Sequence, residues 1–196
     1  MKIVLSGNYG AGNFGDEMIL DGLLQTLREI SPGVDLTVLS GNPEETSVRH
    51  SVKSLKKFPA GIRSFIKSIA SKEFIATKNA LKESDLFILG GGGLFDGTTF
   101  KGVIIWALQA FFANIYCRQF IAYGQSISDI SSSKNLIIKL IVRKVFEKAS
   151  FVAVRDEQSK IELENIGIKG SVIMPDLIFR TDIGKQNKEN IKSHSE

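Results

Sequence analysis

The sequence has one cysteine, Cys117, so it cannot close an internal disulfide, a usage that fits a reducing compartment. Nothing in "ANIYCRQF" offers that thiol a base, and it reads as a structural cysteine. Histidines number two, His50 and His194. No apolar run is long enough to cross a bilayer: Val103 to Cys117 falls short of the roughly 20 residues required and contains Gln109 and Asn114. The first residues read as a strand, with neither the basic start nor the apolar core of a signal peptide. A cytoplasmic protein is expected. Blocks of like charge are missing too. The 25 basic and 21 acidic residues give a net charge of +4, and the scattered lysines make no nucleic-acid surface. There are no internal repeats.

What is present is a regular alternation. With 196 residues, 43% of them hydrophobic, the chain can bury one substantial core. Short apolar runs at Lys2–Ser6, Val34–Leu39, Leu86–Leu89, Phe120–Tyr123, Phe151–Val154 and Val172–Met174 are mostly continuous rather than alternating. Strands buried on both faces, as in a parallel sheet, have that pattern. Helical patterns fall between them, over Asp16–Ile30, Gly61–Lys82, Lys101–Tyr116, Lys134–Ala149 and Asp156–Ile166. The spacing of Ile19, Leu23, Leu27 and Ile30 gives the first helix one apolar face. Asn42–Lys57 has no clear period and leaves room for a short strand near Val52. The order implies an α/β sheet flanked by helices. One domain is expected over residues 1–180, with 181–196 a polar, disordered tail or a truncated linker.

Gly10, Gly12 and Gly15 in "GNYGAGNFGDE" spell the dinucleotide fingerprint G-x-G-x-x-G. Two features oppose that reading. Asp16 and Glu17 follow at once, where a pyrophosphate would need an unopposed helix N-terminus. The second strand ends at Ser40 and Gly41, where a ribose-binding acid would stand. Asn13 reads as a helix cap with Asp16 as its partner three residues on, close to a capping box. The glycines still suggest a close approach by something.

Four further loops follow strand ends. Gly90 to Gly93 lack side chains, so their backbone can reach an anion or a sugar, and Asp96 follows as an acceptor for sugar hydroxyls. The absence of a following Gly-Lys-Ser/Thr rules out a P-loop. "YGQSIS" supplies Gln125. "AVRDEQS" supplies Arg155, whose planar fork suits phosphate and carboxylate; a structural ion pair is the other reading of that residue. "PDLIF" supplies Asp176, which also reads as a turn residue after Pro175.

Taken together, "GNYGAGNFGDEMIL", "SDLFILGGGGLFDG", "YGQSIS", "AVRDEQS" and "PDLIF" resemble the N-terminal half of the polysaccharide pyruvyl transferase family. The resemblance implies a Rossmann-like N-terminal domain of a GT-B-like two-domain architecture. It also implies transfer of a pyruvyl group from phosphoenolpyruvate to a sugar or lipid-linked saccharide, forming a ketal in bacterial cell-wall polymers, capsules or exopolysaccharides. The enzyme would work at the inner face of the membrane and need no cofactor and no metal. Asp16 would be the catalytic residue in the cleft, as acid/base or as the group that orients the acceptor. Asn13, Gly15, Gly91, Gly92, Gly93, Gln125, Arg155 and Asp176 would line the site, with Arg155 a phosphoenolpyruvate ligand. The family's second domain, with further basic residues and a catalytic histidine, has no counterpart here. The chain alone is therefore expected to be inactive without a C-terminal domain or a second chain. The alternatives are the N-terminal domain of a nucleotide-sugar glycosyltransferase and a non-catalytic module.

Overall fold

The computed structural model describes residues 1–59, 68 and 70–175. Seven strands form one parallel sheet: β1 (Lys2–Ser6), β2 (Asp35–Ser40), β3 (Lys53–Lys56), β4 (Leu86–Asp96), β5 (Phe120–Ser128), β6 (Phe151–Val154) and β7 (Val172–Ile173). Six helices are described: α1 (Phe14–Ile30), α2 (Pro43–His50), α3 (Lys72–Glu83), α4 (Phe100–Tyr116), α5 (Leu136–Lys148) and α6 (Glu157–Asn165). The strand order is β3-β2-β1-β4-β5-β6-β7. The chain first steps outward from β1 to β3. It then returns to lay β4 against the other side of β1 and steps outward again. That reversal opens a crevice at the C-terminal ends of β1 and β4, the place where open parallel sheets bind ligands.

The continuous apolar runs are explained by two covered faces. In β1, Ile3 and Leu5 join a cluster with Leu20, Leu23 and Leu24 of α1. Val4 joins the larger cluster, which holds Phe87 and Leu89 of β4, Trp106 and Phe112 of α4, and Phe146 of α5. Cys117 is half-buried and unpaired, with its sulfur against the Ser84 hydroxyl.

The unclear stretch Asn42–Lys57 holds both α2 and β3, so the extra strand begins just after Val52. Pro43 at its first position and two acids in its first turn explain the short helix. The expected helix over Gly61–Lys82 falls partly outside the described residues, and α3 begins at Lys72, capped by Ser71. The largest correction concerns the second glycine cluster. Gly90 to Gly93 are not a loop after the strand; β4 runs through them to Asp96, paired with β5 across a register shift between Gly92 and Phe95. Hydrogen bonding to β5 carries the strand on where side-chain pattern is absent. The 181–196 tail lies outside the described residues.

Candidate functional site

The first glycine loop leaves β1 at the crevice and enters α1. Asn13 is extended, and its side-chain oxygen accepts the Gly15 N–H at 3.0 Å, so the expected cap is made. The expected return bond from Asp16 is not. Asp16 turns into the crevice, where its Oδ2 accepts from Asn8 Nδ2 at 2.8 Å. Glu17 turns the other way and accepts the Gly10 N–H at 2.8 Å, folding the loop back on the helix. Gly10 permits this: its φ is +67°, and a Cβ there would run into the Ser40 hydroxyl.

Behind Glu17 lies a buried charge relay. His50, at the end of α2, donates from Nε2 to Glu17 at 2.7 Å and from Nδ1 to Asp21 at 2.6 Å. With a carboxylate at each nitrogen, both must donate, which is the imidazolium form. Burial opposes that charge, but the bonds and charges of Asp21 and Glu17 outweigh it and raise the His50 pKa. The three groups are strung along the ring and do not converge on a point, and no metal cluster occurs among the described residues. Nothing local in the sequence announces His50. The usable signal was Glu17 and Asp21, like charges one helical turn apart that call for a cation between them.

The opposite wall is the glycine stretch of β4. Gly92 has a φ of +90°, and a Cβ added there would stand 2.7 Å from Asp16 Oδ1. The missing side chain is thus the space the carboxyl occupies. Asn8, Asn13, Asp16, Gly93, Leu94 and Trp106 line a depression of about 390 Å³. Beside it, Lys57 donates to the carbonyls of Gly7 at 3.2 Å and Tyr9 at 3.3 Å, and lies 5.2 Å from the Trp106 ring centre. Burial pushes the Lys57 ammonium down to about 8, against the pull of Asp16 and Glu17. Burial also raises the Asp16 pKa. Glu17 adds to the rise, while the Asn8 bond and the charges of Lys57 and Arg155 oppose it. A carboxyl raised by burial in a concave site beside two cations is suited to proton transfer. Tyr9, fully buried beneath Gly90, and Gln125 each keep an oxygen without a hydrogen-bond partner among the described residues.

Of the residues singled out in the sequence, Asn13, Asp16, Gly92 and Gly93 meet at the depression. Gly15 is the recipient of the cap. Gly91, with φ at +52°, packs against Ile19 and lets α1 close on β4. Gln125 lies buried and donates to the Leu89 carbonyl at 2.8 Å, tying β5 to β4 rather than lining the surface. Arg155 stands exposed at the end of β6, 3.7 Å from the Asp156 carboxylate. Asp96 holds the following turn by accepting from Thr98. Asp176 lies outside the described residues. Lys57, Asn8 and Trp106 are the lining or flanking groups that sequence reasoning missed.

A doubly wound parallel sheet with its polar site at the β1/β4 reversal is a Rossmann-like domain, of the kind from which GT-B-type folds are built. The solved structure of a lipopolysaccharide outer core galactosyltransferase, WaaB in its apo form, shares the fold. Its TM-score is 0.52 at 16% identity, over 86% of this chain and 43% of that one. The chain therefore spans less than half the length of that neighbour. The family model for polysaccharide pyruvyl transferase matches residues 13–195, and the chain belongs to that family. No curated protein matches the chain. Among the described residues, no helix is long and apolar enough to cross a membrane.

Proposed function

We propose that this chain supplies the acceptor-side half of an enzyme that moves a pyruvyl group from phosphoenolpyruvate to two hydroxyls of a saccharide. The observation that carries the reading is the raised, nearly buried Asp16 carboxyl, set in the crevice of a chain of this family. The reaction protonates the methylene carbon of phosphoenolpyruvate to a methyl group. One saccharide hydroxyl adds to the neighbouring carbon, phosphate leaves, and the second hydroxyl closes the ketal. Of the two hydroxyl protons, one balances the new methyl C–H and the other departs with phosphate. Asp16 is placed to take a hydroxyl proton as general base. The Asn8 amide holds one of its oxygens and leaves the other toward Gly92. Arg155 is the candidate partner of the donor's phosphate or carboxylate, and Lys57 the fixed positive charge on the loop side. The remaining wall of the cleft would come from a second domain or chain, so the isolated chain turns over little or not at all.

The test is phosphate release from phosphoenolpyruvate with saccharide acceptors, with and without the product of the adjacent reading frame. Release that depends on an acceptor and disappears in Arg155→Ala supports the proposal. No phosphoenolpyruvate binding in any combination overturns it, and sugar transfer from a nucleotide-sugar would assign the chain to glycosyl transfer instead.

A further inference from the structure

Helices α4 and α5 pack side by side and leave a groove of about 510 Å³ between them, lined by Ile104, Leu108, Phe111, Leu140 and Ile141. Its rim is unusually bare: Leu136 is 74% exposed and Phe111 56%, and Ile115, Ile137 and Leu140 are exposed as well. Contiguous apolar surface of this kind marks a contact site. Charge is segregated around it. Residues 100–119 and 134–148 hold seven of the chain's 25 basic residues and only one of its 21 acidic ones, so the rest of the chain is slightly acidic. Lys144 and Lys148 line the groove itself. The single acid, Glu147, is already paired with Arg143 and Lys144.

We propose that this face docks on an anionic lipid bilayer, with the exposed aliphatic side chains of α5 among the headgroups and the cations around them on lipid phosphates. Apolar burial and charge attraction together are the combination that holds a helix at an anionic interface. A second copy is a poor occupant, because a symmetric contact would set this cationic surface against itself. Both helices begin at the C-terminal edge of the sheet, α4 after β4 and α5 after β5. Their first turns, with Phe100, Leu136 and Ile137 exposed, therefore stand at the same sheet edge as the Asp16 depression. The docking stands on this surface alone. If the proposed transfer also holds, a lipid-borne saccharide would arrive on this side of the cleft.

The test is flotation of the full chain with vesicles of phosphatidylglycerol and phosphatidylcholine in equal parts, against phosphatidylcholine alone. The chain should float with the anionic vesicles only, and less so as salt rises. Lys144→Gln and Lys148→Gln should each weaken partitioning about fivefold. Leu136→Ser with Leu140→Ser should weaken it by about tenfold or more. All four positions are exposed, and unchanged circular dichroism would show that the variants fold. Absence of flotation, or equal flotation with neutral vesicles, overturns the inference. So does a concentration-dependent dimer in light scattering that Leu140→Lys abolishes.

Discussion

Lys57→Met keeps the length and apolar stem of the side chain and removes its charge. In the folded chain burial brings the ammonium from 10.5 to about 8, which disfavours the charged form by about 3 kcal/mol. That cost already includes the pull of Asp16 and Glu17. At neutral pH methionine escapes the cost but forfeits two charged hydrogen bonds and the Trp106 contact. The two effects nearly cancel, and the variant should lie within about 2 kcal/mol of wild type. The pH dependence is the sharper test. Between about pH 8 and 10.5 the unfolded chain holds a proton on Lys57 that the folded chain has lost, so wild-type stability rises with pH across that window. Methionine cannot titrate. From about pH 7 to about pH 9.5 wild type should gain about 2 kcal/mol relative to the variant. Urea unfolding of both proteins at the two pH values measures this directly. Parallel pH dependence would mean that Lys57 is not desolvated against the loop carbonyls, and the fixed cation of the site would have to be sought elsewhere.

Asp16→Asn should cut transfer by about 100-fold or more. It should leave stability equal or raised at neutral pH, because a carboxyl with a raised folded pKa loses its contribution as pH rises through that value; thermal melts across pH check this. Gly92→Ala should lose activity to a similar degree by displacing the same carboxyl. It should also cost about 1–2 kcal/mol for a non-glycine residue at positive φ, so the two variants separate in a denaturation curve. His50→Ala leaves Glu17 and Asp21 facing each other in a buried site and should cost about 3 kcal/mol, roughly 6–12 °C in Tm. With its pKa raised in the fold, the His50 contribution is complete below about pH 6.5 and fades as pH rises through the folded value. The penalty should therefore shrink in alkali.

The parallel sheet was legible because the inner strands β1, β2, β4 and β6 are buried on both faces and helices end at stop signals, as Ser31-Pro32-Gly33 ends α1. The strand character of Gly90–Gly93 was not, since glycine carries no pattern and only pairing with β5 extends β4 through it. At the site, Asn13 as cap could be read from local chemistry, whereas the local reading of Asp16 as the cap's partner fails, because its carboxylate turns to Asn8 instead. Lys57 and His50 could not, because both act across long sequence separations, Lys57 on Gly7 and Tyr9 and His50 on Glu17 and Asp21. Trp106 looked like one more apolar residue in a buried helix, and only the fold brings it beside the first loop.

The measurement that bears most directly on the account is mass spectrometry of a saccharide acceptor incubated with carbon-labelled phosphoenolpyruvate, this chain, and the product of the adjacent reading frame. Label should enter the acceptor as a cyclic pyruvate ketal, and Asp16→Asn should slow its entry by about 100-fold or more. Label entering undiminished with Asp16→Asn, or an acceptor that never takes up label and instead gains a sugar from a nucleotide donor, would contradict it.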